Sequence, residues 1–163
     1  MSLAAEDYPA AADLHEQVLA LCRELGTPHG EAIALYDLGR LRLATGDTAA
    51  AADLHEQSLA LIRVVGDRQG EAEILNSLAG ILAGTARPHE ALPLYRQALR
   101  LAREVRSFIY EAQAPEGAAR CEIRAGAGPA ALAGFREAIA IYRRIGAPEE
   151  EAARVYLAEA ETA

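Results

Sequence analysis

With 163 residues the chain is long enough for one domain with a hydrophobic core, and its 52% hydrophobic content excludes disorder by composition. Aromatics are only 5% and Trp is absent, so the apolar content is mostly Ala and Leu, which favours helices. The net charge of −8, from 24 acidic residues against 16 basic ones, excludes the basic surface that direct nucleic-acid binding needs and disfavours an anionic membrane.

All the basic residues are Arg, which together with abundant Ala fits the codon usage of a GC-rich bacterial genome. Cys22 and Cys121 lie far apart without metal-ligand spacing, as expected of two free thiols in a reducing compartment. The N-terminal residues run straight into Glu6 and Asp7 without the pattern of a signal peptide. No stretch of about 18 uncharged apolar residues occurs. A cytoplasmic location is therefore expected, with no membrane contact.

In chain order, the first predicted helix covers about residues 10–25. A second, helix A, covers about 29–45. Its Ile33, Leu35, Leu38, Leu41 and Leu43 are too many for a narrow stripe, so it must meet neighbours on more than one side. Thr45-Gly46-Asp47-Thr48 reads as a turn, with Asp47 or Thr48 as N-cap. Helix B then covers about 48–65, where Ala51, Leu54, Leu59, Ile62 and Val65 follow helical spacing, and it ends at Gly66.

This pair repeats. Residues 11–21 (AADLHEQVLAL) and 51–61 (AADLHEQSLAL) agree at ten of eleven positions, 40 residues apart. The same offset carries Leu54, Gln57, Leu59 and Arg63 to Leu94, Gln97, Leu99 and Arg103. The Glu-Ala pair recurs at 31–32, 71–72, 111–112 and 151–152. Gly66 has equivalents in Gly26 and Gly146, but Arg106 stands at the same place in the third copy, where a different corner is expected.

Leu35, Leu38, Gly39, Ala51, His55, Ser58 and Leu59 fall at the signature spacing of a tetratricopeptide repeat, and the chain resembles that family over nearly its whole length. The resemblance implies an all-α, right-handed α-α superhelix of about eight antiparallel helices. In domain terms it is a single solenoid over 1–163. It comprises a partial first repeat (1–28), repeats at 29–68, 69–108 and 109–147, and a C-terminal capping helix at 148–163. The 40-residue period and the Gly66–Ala72 junction resemble two subgroups: cell-polarity scaffolds of the Pins/LGN type, and the sensor arrays of large bacterial transcriptional regulators. A small residue recurs at Gly39, Ala79 and Ala119, where helix B should pack closely, and a large side chain there should cost about 1–3 kcal/mol.

The array begins within a repeat, because Leu3-Ala4 aligns with Leu43-Ala44, the end of a helix A. Either the chain is cut from a longer protein, or another element, a partner or a second copy, is expected to cover the N-terminal face. At the other end, Glu159 stands at the Gly39 position, as a polar cap would require. Pro115 replaces Leu35 and Leu75 inside a predicted helix, at a cost of about 3 kcal/mol, so a kink is expected near 114–117.

Chemistry is not expected. His15 and His55 share one repeat position with Tyr95 and Phe135, which marks a slot for a flat ring rather than a ligand pair. Glu149, Glu150 and Glu151 suit a helix N-terminus. There is no phosphate-binding loop, dinucleotide fingerprint, nucleophile elbow or zinc motif, so no catalytic residue, metal or cofactor is assigned.

The resemblance implies that helix A lines a concave groove. Projected from Leu38-Gly39, the groove positions are Ile33, Tyr36, Asp37, Arg40 and Leu43 in the first copy, then Glu73, Asn76, Ser77 and Gly80. The third copy adds Gln113, Glu116, Gly117 and Arg120, and the fourth Ala153, Tyr156 and Leu157. Arg40 and Arg120 share a repeat position on an acidic chain. They either take carboxylates of a bound peptide, with Tyr36, Tyr156 and Asn76 taking apolar and backbone groups, or pair with neighbours such as Asp37 and Glu116. The chain has no Lys, so it lacks the carboxylate-clamp pattern of chaperone-binding members. The expected function is protein or peptide binding; the alternative is a sensor segment of a larger transcriptional regulator.

Overall fold

The computed structural model describes residues 8–85 and 88–162. Among them run eight α-helices: α1 (Tyr8–Glu24), α2 (Pro28–Ala44), α3 (Thr48–Val65), α4 (Arg68–Ala83), α5 (Pro88–Glu104), α6 (Phe108–Arg124), α7 (Gly128–Ile145) and α8 (Glu149–Thr162). The even helices are the A helices of the repeat and the odd ones its B helices. The chain divides into two compact units, Met1–Gly70 and Glu71–Ala163. The aligned Leu3-Ala4 lies outside the described residues.

In the first unit, Leu19 of α1, Ala34, Leu35 and Leu38 of α2, and Leu54 and Leu61 of α3 form one cluster. The A–B contact is tight. A Cβ built on Gly39 would lie 3.0 Å from Cε1 of His55, and Ser58 Oγ donates to the Ala32 carbonyl at 2.7 Å. At three of its four positions the predicted ring slot is filled by a buried ring, His55, Tyr95 and Phe135, while His15 of α1 is half-buried. Desolvation lowers the His55 pKa to about 4, so the imidazole is neutral at pH 7. Its Nδ1 donates to the Ala51 carbonyl at 2.9 Å. The recurring Glu-Ala pair also has a physical basis. In three copies its alanines (Ala32, Ala72, Ala112) are fully buried, and Glu31 and Glu111 accept from Arg23 and Arg103 of the preceding B helix at 2.8 and 3.4 Å; in the fourth, Glu151 and Ala152 are both exposed and Glu150 accepts from Arg143 at 3.0 Å instead.

Asp47 is the N-cap of α3, its Oδ1 accepting from Ala50 N–H at 3.1 Å. The corner at Arg106 corrects the sequence expectation. Arg106 keeps the left-handed backbone (φ 57°) of Gly26 (63°), Gly66 (81°) and Gly146 (67°). The closing bonds are shared too: Ser107 N–H donates to Ala102 C=O at 2.8 Å, as Thr27 N–H does to Cys22 C=O at 2.9 Å. Docking of the flanking helices sets this corner, and the side chain is carried at a cost of about 1–2 kcal/mol.

In the second unit, Ala112, Ala138, Ile139, Ile141, Tyr142 and Ala153 form one cluster, and Ala119, Ala131 and Phe135 another. α6 runs on from Phe108 to Arg124 with buried Pro115 inside it. The small residues around Pro115 admit neighbours. A Cβ on Gly117 would collide with the Tyr95 ring, and one on Gly134 would lie 2.8 Å from the Pro115 carbonyl oxygen.

Candidate peptide-binding site

The predicted groove residues of the first unit share one face of α2. Ile33 is exposed, and Tyr36 and Asp37 are half-buried. The Tyr36 ring stands edge-on to His55, with centroids 4.9 Å apart. The Arg40 guanidinium lies 6.0 Å from the Tyr36 ring centroid, and its Nη1 is 4.0 Å from Asp37 Oδ1. Asp37 Oδ2 is in turn 3.9 Å from His15 Nδ1. Arg40 therefore has the neighbour expected of it while its side chain stays 65% exposed.

In the second unit the predicted residues separate by burial. Asn76 is buried; its Nδ2 donates to the Tyr110 carbonyl at 3.3 Å, and its Oδ1 has no hydrogen-bond partner among the described residues. Glu73, Ser77 and Gln113 are half-buried. Ala153, projected onto the groove, instead packs into the core with Ala138 and Tyr142 while Ala152 is exposed, because the inward face of α8 falls one residue later than the 40-residue offset places it.

Arg120 and Tyr156 meet directly. Arg120 Nη2 donates to Tyr156 Oη at 3.1 Å, and the guanidinium lies 4.4 Å from the Tyr156 ring centroid. Its Nη1 is 3.8 Å from Glu116 Oε1, while Glu116 Oε2 accepts from Tyr142 Oη at 2.8 Å. Burial, reinforced by the Glu116 charge, pushes the Tyr142 pKa up, so it remains a donor. Tyr156 stacks on Phe135 at 6.1 Å. Arg120 is thus held in a fixed pose with part of its surface open.

Two cavities flank it. One of about 310 Å³ is lined by Arg120, Ile123, Arg124, Phe135, Tyr156, Glu159 and Ala160. The other, about 140 Å³, is lined by Gly80, Ala83, Gly84, Tyr95, Gly117, Arg120 and Arg124. Moving Gly80, Ala83, Gly84 and Tyr95 by one 40-residue period gives Arg120, Ile123, Arg124 and Phe135. They are therefore the same place in successive repeats, floored by the ring slot and divided by a wall of two arginines. Arg124 Nη1 donates to the Ala83 carbonyl at 2.6 Å, which anchors that wall to the end of α4.

The Tetratricopeptide repeat model matches residues 2–63 and 49–104. The chain belongs to the tetratricopeptide repeat family. Among solved structures it is similar to BtubC (BKLC) from P. vanneervenii, with TM-score 0.86 and 18% identity over 96% of this chain and 66% of that one. Two structures of a Podosopora anserina putative kinesin light chain with nearly identical TPR-like repeats also match. Their TM-scores are 0.78 and 0.76, each at 20% identity over 96% of this chain and 78% and 79% of theirs. At these identities the likeness is one of fold, that of a TPR-like solenoid. No curated protein matches the chain.

Sequence reasoning missed Arg124 on this TPR surface. Its signal was its place one helical turn beyond Arg120, where the other copies carry Ala44 and Gly84. It also assigned Tyr95 and Phe135 to packing alone, although each floors a cavity. Among the described residues no cluster of three or more His, Cys, Asp or Glu is placed to hold a metal, and no helix is long and apolar enough to cross a membrane. Cys121 is buried, which raises its thiol pKa.

Proposed function

We propose that this TPR chain is a protein- or peptide-binding module, rather than an enzyme, and that its A helices receive a segment carrying acidic groups. The observation that carries this reading is the wall of Arg120 and Arg124 between two repeat-equivalent cavities. A carboxylate at that wall gains charge-assisted bonds of about 1.5–3 kcal/mol each. An apolar side chain filling the larger cavity adds about 1.5–3 kcal/mol. Micromolar binding needs about 8 kcal/mol, which two arginine contacts and one buried side chain approach. Ile33, Tyr36, Asp37 and Arg40 in the first unit, and Glu73, Ser77, Gln113 and Tyr156 in the second, are further recognition positions in this proposal, whereas buried Asn76 is not.

The test is selection of peptides from a random library against the wild-type protein, followed by titration against a folded Arg120→Glu/Arg124→Glu variant. Selected peptides should be rich in Asp or Glu beside a large apolar residue, and the variant should lose them. Selection without acidic bias, or equal binding by the variant, refutes the site. An Arg40→Glu variant tested in parallel reports on the first unit.

The apolar face of α1 supports a second role for the same chain, self-association through its N-terminal helix. The 40-residue period also suits a sensor segment of a bacterial transcriptional regulator. In that reading the ligand comes from a sister domain, and library selection yields no linear peptide.

A further inference from the structure

The outer face of α5 carries a row of exposed arginines: Arg96, Arg100 and Arg103, spaced four and three residues apart, and Arg106 in the corner that closes the helix. One of the four belongs to the repeat. Arg103 donates to Glu111 at 3.4 Å and to Glu137 at 2.5 Å, and its equivalents Arg23 and Arg143 donate to Glu31 and Glu150 at 2.8 and 3.0 Å. The other three have no such role. The side chains of Arg96, Arg100 and Arg106 form no hydrogen bond or ion pair with a described residue.

These three are departures from the period. The Arg96 position is Glu16 in α1 and Glu56 in α3, so its charge reverses between copies; in α7 it is Arg136, which donates to Glu161 at 2.9 Å. The Arg100 position is Ala20, Ala60 and Ala140. At the Arg106 position the other copies have Gly, and the arginine is carried in a left-handed backbone (φ 57°) that disfavours it. Arg144 adds a further guanidinium. It stands where the other copies have Glu24, Val64 and Glu104, and it lies 4.7 Å from the ring centroid of Phe108, two residues beyond Arg106. The Arg96 and Arg100 positions are exposed in all four copies, so the architecture itself turns this face of a B helix to solvent.

We infer that the outer face of α5 docks an acidic helix of a partner protein. Like charges one turn apart on a helix repel, and Arg106 adds backbone strain, so the row is a liability to the free chain that carboxylates would offset. A helix lying along α5 repeats its own residues at the same interval. Carboxylates spaced four and three apart on it meet the row one for one, through charge-assisted bonds. Phe108, exposed beside Arg106 and Arg144, offers an apolar contact at the end of the row. The surface is distinct from the arginine wall, whose Arg120 and Arg124 lie on the A helix α6. A nucleic acid is a poorer occupant, because the chain carries a net charge of −8 and Glu104 adjoins Arg103 on α5.

The test is fluorescence anisotropy of the full chain with a labelled, Ala-rich helical peptide carrying Glu at the same four-three interval. A control peptide has the same composition with its Glu residues spread around the helix. The wild type should bind the first peptide more tightly than the control, and less tightly as salt rises. Arg96→Glu/Arg100→Glu, checked for unchanged helicity, should weaken binding by about tenfold or more. Arg120→Glu/Arg124→Glu changes the net charge by the same amount and should leave binding of this peptide unmoved. No binding by the wild type, equal binding of the control peptide, or equal loss in both variants overturns the docking surface. Tighter binding of oligothymidylate than of the peptide, lost in Arg96→Glu/Arg100→Glu, overturns the acidic-helix partner and gives the face to nucleic acid.

Discussion

His55 makes stability depend on pH between its folded and unfolded pKa values. The folded imidazole is buried, and desolvation lowers its pKa from 6.5 to about 4. Between those values the unfolded chain binds a proton that the folded chain refuses. Stability is therefore full above about pH 6.5 and falls as pH drops towards 4. The shift of about 2.5 units, at 1.36 kcal/mol per unit, corresponds to about 3 kcal/mol by the lower end of the window. That is a large part of the 5–15 kcal/mol typical of a domain.

The perturbation is His55→Phe, because Phe135 already fills the same slot two repeats on. The variant gives up the Nδ1 bond to Ala51 and tightens the contact with Gly39, so a modest loss at pH 7 is expected, about 1 kcal/mol. Its stability should then fall by less than that of the wild type between pH 7 and pH 4.5. Urea melts of both proteins across that range give the difference. Asp67 and Glu150 have carboxyl pKa values lowered from 3.8 and 4.5, through the Gly70 N–H bond and the arginine bonds respectively, so their contributions begin to be lost only near the lower end of the His55 window. They are also common to both proteins and cancel in the subtraction. Parallel pH curves for wild type and variant would refute the assignment of a neutral, desolvated His55.

Two further substitutions test the corners and the cavity walls. Arg106→Gly should stabilise the chain by about 0.5–1 kcal/mol, since glycine removes the left-handed penalty but has more unfolded freedom to lose. A higher urea midpoint checks it, and a lower one would mean that the arginine side chain stabilises the corner by more than its backbone costs. Gly117→Ala should destabilise by about 1–3 kcal/mol, because the added methyl meets the Tyr95 ring where that ring floors the smaller cavity. An unchanged midpoint would show that Tyr95 swings aside freely.

The helix pattern was legible in the sequence because packing repeats. Leu35, Ala51 and Leu59 recur at one interval since each A–B contact is the same physical object, and periodicity detects repeated objects. The Arg106 corner was misread because backbone conformation there belongs to the docking of two helices and not to the residue in the loop. Asn76 and Ala153 looked like surface by phase, yet both are buried; Asn76 is held against the Tyr110 carbonyl of α6, the inward face of α8 is shifted by one residue, and neither fact enters a projection from a landmark.

The recognition surface was the least legible part, for a reason internal to repeat architecture. Residues that pack must match their counterparts, so each one is confirmed by the other copies. Residues that would distinguish one ligand from another must differ between copies, and a difference in a single sequence resembles drift. Arg124 replaces Ala44 and Gly84, and Val18 replaces Ser58; each breaks the period at one position, and neither has a counterpart to mark it as meaningful. The structure supplies the missing criterion, which is what each departure touches. Arg124 joins Arg120 between two cavities, and Val18 adds branched apolar bulk to the exposed face of α1. In a solenoid, then, the exceptions to the repeat are the places to look for binding, and each is weighed by the surface it changes.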